Sequence, residues 1–240
     1  MKTLILILSL MSALVAAAQS ETQVVPDLGT LTSSNLVQPT NTLSAQVEAE
    51  RQFQMQLDLA RQQRHERSPA LAIQTLVKIL ETNAPPEFKR NALLELGFAT
   101  QDNKEFVKAQ QIYAQFLQHY PDDQSAPEIL LRQGLLFRQL GVNTLAISKF
   151  YSVMSTTLKL KVENLDYYKN LVLQAQTEIA DTYYIQGQFS DSAEFYTKLL
   201  KADSPSLNKQ QIEFKLIRSL SSLTNQTDET ISRSQKFLER

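Results

Sequence analysis

The chain has 240 residues, with 24 Lys and Arg against 25 Asp and Glu, no cysteine, no tryptophan and five glycines. So few glycines argue against turn-rich all-β folds and against glycine-rich loops that bind phosphate. The lack of cysteine excludes disulfides, cysteine-ligated zinc, iron–sulfur clusters and thiol nucleophiles. A net charge of −1 gives no electrostatic signature of binding to nucleic acid or to an anionic membrane.

Residues 1–18 have the pattern of a secretory signal peptide. Lys2 precedes an apolar run from Leu4 to Val15, and the alanines at 16–18 offer a cleavage site before Gln19. The run is shorter than the ~20 residues of a membrane-spanning helix, although an uncleaved anchor is the alternative. We therefore expect a periplasmic or secreted protein with no stable membrane insertion after cleavage.

Residues 19–44 are predicted to form a flexible linker. The segment is rich in Ser and Thr, contains Pro26 and Pro39, and has no basic residue. It also lacks the sustained apolar periodicity that would support folding. The alternative is an extended segment that docks on a partner. The residues available for such docking are Leu28, Leu31, Leu36 and Val37.

Residues 45–240 have a helical pattern throughout. Apolar residues recur at steps of three and four, and proline occurs only between these segments. The predicted helix pairs are 45–64 with 69–82, 87–101 with 105–119, 126–140 with 143–158, 164–186 with 189–202, and 207–223 with 228–240.

A repeat of 37 residues organises this region. An alanine recurs at that spacing, large apolar residues follow it by four and seven positions, and a small residue precedes it by twelve. The columns are Ala72, Ala109 and Ala146; Leu76, Tyr113 and Phe150; Ile79, Phe116 and Val153; and Ala60, Gly97 and Gly134. Each unit is interpreted as two helices joined by a turn, with small residues where the helices cross. Such units bury their apolar faces only by stacking.

These columns resemble the tetratricopeptide repeat (TPR). The matching residues are Leu96-Gly97, Ala109, Tyr113, Phe116 and Pro121; Gly134, Phe137, Gly141, Ala146 and Phe150; and Ala180, Tyr183, Gly187, Phe189, Ser192, Tyr196 and Pro205. The resemblance implies an all-α fold, a right-handed superhelical solenoid of about five TPR-like helix pairs.

The sequence departs from the TPR pattern in five places, one of which is that Pro205 falls one position late. Its repeat is longer than the usual 34 residues, and Gln133 replaces an apolar residue. The interval between the third and fourth units predicts an extra turn near 159–166. The last unit, around Ser221 and Phe237, is weak, as is typical of a terminal cap.

The resemblance also implies a binding surface, because the first helix of each TPR unit lines the concave face of the solenoid. The residues predicted to lie there are Asn91, Leu94, Phe98, Gln101, Glu128, Leu131, Leu135, Arg138, Gln174, Thr177, Asp181 and Tyr184. The four apolar members form the middle of this surface, which suits a bound peptide, either helical or extended. The alternative for each leucine is burial against the adjoining helix. Leu94 and Phe98 stand where chaperone-tail binders carry Lys and Asn, so no carboxylate clamp of that kind is expected.

No catalytic, metal or cofactor site is predicted. His65 and His119 end helices of different units, and the basic run 61–67 is interpreted as a solvated helix terminus. The acidic residues at 102, 122–123 and 228–229 are interpreted as helix caps and solvated turns.

The sequence therefore favours an exported, non-enzymatic adaptor of the bacterial cell envelope that binds a protein or peptide on its concave face. It resembles periplasmic TPR proteins and those of outer-membrane assembly, although the lipid-anchoring cysteine of the latter type is absent. One alternative is a structural subunit of an envelope assembly for outer-membrane proteins or cell division. A more distant alternative is a cell-wall enzyme, for which Glu128 and Asp181 are the nearest candidate carboxylates. The sequence leaves the partner and the oligomeric state open.

Overall fold

The computed structural model describes residues 40–160, 164–223 and 225–239. Within them the chain forms ten α-helices and no strand. The helices are α1 (Thr40–His65), α2 (Pro69–Glu81), α3 (Pro86–Asp102), α4 (Phe106–His119), α5 (Ala126–Gln139), α6 (Asn143–Thr157), α7 (Leu165–Ile185), α8 (Phe189–Lys201), α9 (Lys209–Ser221) and α10 (Thr227–Leu238). All the predicted helices are confirmed, with ends within two residues except at the start of α1.

The N-terminal predictions fall largely outside these ranges. The predicted signal peptide, 1–18, and the linker as far as residue 39 are not described. Residues 40–44, assigned to the linker from sequence, lie in α1. A helix extends more easily than it nucleates. The polar start of α1 therefore continues the helix that is anchored further on, where Leu57 is fully buried.

The repeat columns form the core. Each alanine and large apolar residue of the three repeats has at most 1% of its surface exposed. A Cβ atom on Gly97 would lie 2.5 Å from the Tyr113 ring, and one on Gly134 would lie 2.4 Å from the Phe150 ring. Glycine therefore leaves room for the aromatic ring at these two crossings of a first and a second helix.

The turns inside the first four units share one geometry. Gly141 and Gly187 adopt positive φ angles of 78° and 75°, and Arg67 and Lys104 adopt the same left-handed conformation at 61°. At each turn two backbone N–H groups bond back to the last turn of the helix, as in the Schellman motif. Glycine occupies the left-handed position at only two of these four turns.

The extra turn was predicted near 159–166, and residues 161–163 of that segment lie outside the described ranges; α6 ends at Thr157 and α7 begins at Leu165. The Asn164 side chain caps α7 by accepting from the Tyr167 N–H at 3.1 Å. The hydroxyl of Tyr168 donates to the Gln124 carbonyl at 3.0 Å. The first turn of α7 therefore contacts the segment that leads into α5.

Gln133 is buried, with 2% of its surface exposed, in the interface between the second and third units. Its carbonyl accepts from the Gln110 side-chain amide at 2.8 Å, and its own amide donates to the Gln110 carbonyl at 3.4 Å. A buried side-chain amide requires hydrogen-bond partners. Gln110 and Gln133 provide them for each other, so a pair of hydrogen bonds takes the place of the apolar contact expected at this position.

The last unit ends in a weakly packed helix. No residue of α10 is buried, and Phe237 contacts Phe214 of α9 with a centroid separation of 6.3 Å. The helix α10 therefore adds no fully buried residue to the core. None of the described helices has both the length and the apolar character needed to cross a bilayer.

Candidate partner-binding face

The first helices of neighbouring units contact one another through charged and aromatic side chains. These contacts join α1 to α3, α3 to α5, α5 to α7 and α7 to α9. We call the surface that they form the first-helix face. Its contacting residues are Arg61, Arg64, Glu95, Phe98, Asp102, Glu128, Arg132, Arg138, Tyr167, Glu178, Asp181, Tyr184, Lys215 and Arg218.

At the N-terminal end of the face, Glu95 of α3 lies between two arginines of α1. Its Oε1 accepts from Arg61 Nε at 2.8 Å, and its Oε2 lies 3.5 Å from Arg64. Arg64 also lies 3.6 Å from Asp102. The sequence interpretation of residues 61–67 as a solvated helix terminus was therefore wrong for both arginines, because a buried acceptor on the next unit holds them.

Phe98 was predicted to be an apolar anchor for a partner, but only 8% of its surface is exposed. The guanidinium carbons of Arg64 and Arg132 lie 5.2 Å and 4.3 Å from its ring centroid, a cation–π arrangement. Leu131 is also buried, at 4%, in a cluster with Tyr168 of α7. Tyr168 lies in the first turn of α7.

The expectation of an apolar middle therefore needs correction. Two of its four residues are in the core, while Leu94 and Leu135 remain partly exposed. The accessible part of the face is polar, with isolated apolar side chains.

Between α5 and α7, Glu128 accepts hydrogen bonds from both elements. Its Oε1 receives Arg132 at 2.7 Å, and its Oε2 receives the Tyr167 hydroxyl at 2.8 Å. Burial, then the hydrogen bond to Glu128, raises the pKa of Tyr167, so this hydroxyl remains a donor. Arg138 and Glu178 form a second bridge at 2.5 Å. Burial raises the pKa of Glu178, although Arg138 opposes the change.

Between α7 and α9, Asp181 accepts from Lys215 at 2.7 Å and from the Tyr196 hydroxyl. One turn further on, Arg218 Nη2 donates to the Tyr184 hydroxyl at 3.0 Å. These side chains surround a concavity of about 300 Å³. Its lining residues are Arg138, Asp181, Tyr184, Ile185, Tyr196, Lys215 and Arg218.

The predicted site residues divide into three groups. Five take part in contacts between first helices: Phe98, Glu128, Arg138, Asp181 and Tyr184. Three serve their own helix or unit: Asn91 accepts from Arg90, Gln101 accepts from the Tyr113 hydroxyl, and Thr177 donates to the Leu173 carbonyl. The remaining four are Leu131, which is buried, Leu94 and Leu135, which are partly exposed, and Gln174, which is exposed.

The prediction missed most of the charged partners. They are Arg61, Arg64, Glu95, Arg132, Glu178, Lys215 and Arg218. A sequence signal for some of them exists, because three pairs have a common separation of 34 residues: Arg61–Glu95, Asp181–Lys215 and Tyr184–Arg218. Among the described residues, no group of three or more His, Asp or Glu could hold a metal ion.

No protein-family model matches the sequence, and no curated protein gives a significant match. Solved structures do match. A Podospora anserina kinesin-light-chain-like protein with TPR-like repeats is 17% identical, with a TM-score of 0.58 over 79% of this chain and 94% of its own. MamA from Desulfovibrio magneticus RS-1 is 15% identical, with a TM-score of 0.58 over 78% of this chain and 93% of its own. BtubC from P. vanneervenii is 14% identical, with a TM-score of 0.56 over 84% of this chain and 83% of its own.

These likenesses establish the fold, an all-α right-handed solenoid of TPR-like helix pairs, which the resemblance to the TPR implied.

Proposed function

We propose that this protein is a non-enzymatic adaptor that binds a segment of another protein along the first-helix face. The observation that carries this proposal is the line of contacts joining α1, α3, α5, α7 and α9. Contacts to a neighbouring helix hold each charged side chain, so less side-chain entropy is lost when a partner binds. The face is therefore a preorganised surface rather than a set of mobile side chains.

The accessible chemistry suits a peptide. Ile185 is 60% exposed at the rim of the concavity, and the ring of Tyr184 lies beside the guanidinium of Arg218. Such isolated apolar and aromatic groups bind side chains, while polar groups around them orient the peptide. The TPR-like fold favours the same role, since helical solenoids expose extended binding surfaces.

The pattern of residues 1–18 supports a place for this adaptor in the bacterial cell envelope, reached by export and cleavage before Gln19. Mass spectrometry of the protein recovered from the periplasm of a bacterial host tests this part. A mature N-terminus at Gln19 agrees with export, and retention of the full chain in the cytoplasm contradicts it.

The main alternative is a structural subunit whose partner is another copy of itself or an assembly component. The exposed apolar side chains of the last helix, Ile231 at 52% and Leu238 at 85%, favour it. Light scattering during size-exclusion chromatography separates the two functions. A monomer at micromolar concentration supports the adaptor, and a discrete oligomer supports the subunit.

Two matched substitutions test the binding face. Ile185→Asp places a charge on the first-helix face, and Val107→Asp places one on α4, a second helix, where the native residue is 63% exposed. Both should leave helicity unchanged. We expect proteins captured from an envelope extract by the wild type to be lost with Ile185→Asp and retained with Val107→Asp. Equal retention by both variants contradicts the proposal.

A further inference from the structure

The concavity between α5, α7 and α9 carries more positive than negative charge. Arg138, Lys215 and Arg218 line it, against the single carboxylate of Asp181. Glu178 neutralises Arg138 at 2.5 Å, and Asp181 neutralises Lys215 at 2.7 Å. Arg218 is the cation left over, because no carboxylate of the described residues lies within ion-pair distance of it.

Other residues nevertheless fix the position of Arg218. Its Nη2 donates to the Tyr184 hydroxyl at 3.0 Å, and its Cζ lies 5.0 Å from the centroid of the same ring. The ring of Phe214 lies 6.0 Å away on its own helix. A guanidinium has five N–H donors in a planar fork. One is used here, so the remaining edge can receive a carboxylate in the two-point geometry that arginine favours.

We propose that this concavity binds an acidic side chain, Asp or Glu, of the partner segment, and that Arg218 is the residue that pairs with its carboxylate. The inference depends on the proposed binding of a peptide by the first-helix face. Ile185, at the same rim, contributes an apolar wall. The partner segment accordingly has an acidic residue next to an apolar one.

An internal acidic residue fits this site better than a chain terminus. None of the lining residues is an Asn or Gln, so no side-chain amide is present to hold the last peptide group of a terminus. The face continues from the concavity towards α3 and α1, so a peptide can extend past it in that direction.

The test begins with a random-peptide library displayed on phage and selected on the immobilised full chain. Parallel selections use Arg218→Glu and a matched control, Arg51→Glu. Arg51 is on α1, and 72% of its side chain is exposed. Both variants change the net charge by the same amount. The control therefore separates the effect of losing the arginine at position 218 from the effect of net charge on peptide binding. We expect the wild type and Arg51→Glu to select acidic residues beside apolar ones, and Arg218→Glu to lose that preference.

The best peptide and its amide counterpart, in which Gln or Asn replaces each acidic residue, are then compared by fluorescence anisotropy. We expect the acidic form to bind the wild type about tenfold more tightly or better, the effect of a charge-assisted hydrogen bond. Arg218→Lys keeps the charge and should retain part of this preference. Arg218→Glu should abolish it, with circular dichroism unchanged.

Three results would overturn the inference while leaving the proposed function intact. In the first, the peptides selected on the wild type are not enriched in Asp or Glu, yet they fail to bind the Ile185→Asp variant. Another is equal weakening by Arg218→Glu and Arg51→Glu, which indicates general electrostatics. The third is binding that disappears when the C-terminus of the peptide is amidated, which indicates a terminal carboxylate. Peptides that bind equally to wild type and Ile185→Asp would instead contradict the proposed function.

Discussion

Replacing Gly134 by alanine tests whether the stacking of each unit depends on the missing side chain. The new methyl carbon would lie 2.4, 2.6 and 2.9 Å from three carbons of the Phe150 ring. Favourable separations between carbon atoms are about 3.5–4.0 Å. Phe150 is fully buried, so its ring has no free space to enter, and α5 and α6 must move apart.

The expected cost follows from two opposing effects. Overpacking a well-packed core costs about 1–3 kcal/mol, whereas alanine in place of glycine within a helix gains about 1 kcal/mol. The net loss in the free energy of unfolding is therefore at most about 2 kcal/mol, and we expect a value near that limit because all three ring carbons lie closer than 3.0 Å. Urea denaturation followed by circular dichroism measures it.

A second substitution serves as the control. Phe150→Leu combined with Gly134→Ala recreates the pair found in the first unit, Ala60 with Leu76, where both residues are at most 1% exposed. We expect the double variant to be more stable than the sum of the two single effects, because the smaller side chain leaves room for the methyl group. A Gly134→Ala variant as stable as wild type, or strictly additive effects, would refute the argument from close approach.

Three further predictions concern the turns and the first-helix face. Residues 104 and 141 both have left-handed backbone conformations, which glycine adopts more easily than other residues. Gly141→Ala should therefore lower the free energy of unfolding by about 1 kcal/mol, and Lys104→Gly should raise it by about 0.5–1 kcal/mol. Changes of the opposite sign in urea denaturation would contradict this interpretation of the turns. Tyr196→Phe removes the hydroxyl that donates to Asp181 and should cost about 1–2 kcal/mol in the same assay; an unchanged stability means that the bond contributes nothing. Burial raises the pKa of Glu178 above 4.5, so its ionised form destabilises the fold at neutral pH and this penalty disappears as the pH falls. Glu178→Gln should therefore be more favourable relative to wild type at neutral pH than near about pH 4, and the reverse trend in urea midpoints would contradict that sign.

The repeat made most of the fold predictable. Ala72, Ala109 and Ala146 recur at a fixed spacing, and large residues follow each of them by four and seven positions. This local pattern indicates which side of the helix is buried. Proline and glycine then located the ends of the helices. These signals depend on backbone conformation and packing within one unit, which is why they can be read from a single sequence.

The binding face was less predictable because its contacts join different units. Glu95 and Phe98 are not members of the repeat columns, although the ring of Phe98 lies 6.1 Å from that of Tyr113. The arginines of α1 and α5 cover them, and only the stacking geometry brings those residues together. Leu131 is buried for a related reason, because it clusters with Tyr168 at the start of α7, in the next unit.

Two turns show the same limit on a smaller scale. Arg67 and Lys104 adopt the left-handed conformation that glycine adopts at 141 and 187. Their side chains give no hint of it, since charged residues are common in many turn types. The backbone hydrogen bonds at each turn impose this conformation. The four turn positions are recognised as equivalent only when the units are compared in three dimensions.

Site-specific photocrosslinking tests the central claim most directly. Gln174 is exposed on α7, four residues before Glu178 and therefore on the same side of the helix. Gln111 is exposed on α4, a second helix. A photoreactive residue is placed at position 174 in one variant and at position 111 in another. We expect the partner to crosslink to the variant at 174 and not to the variant at 111. The crosslinked residues of the partner should lie in one continuous segment of its chain. Crosslinks of equal yield from both positions, or from 111 alone, would contradict a binding site on the first-helix face.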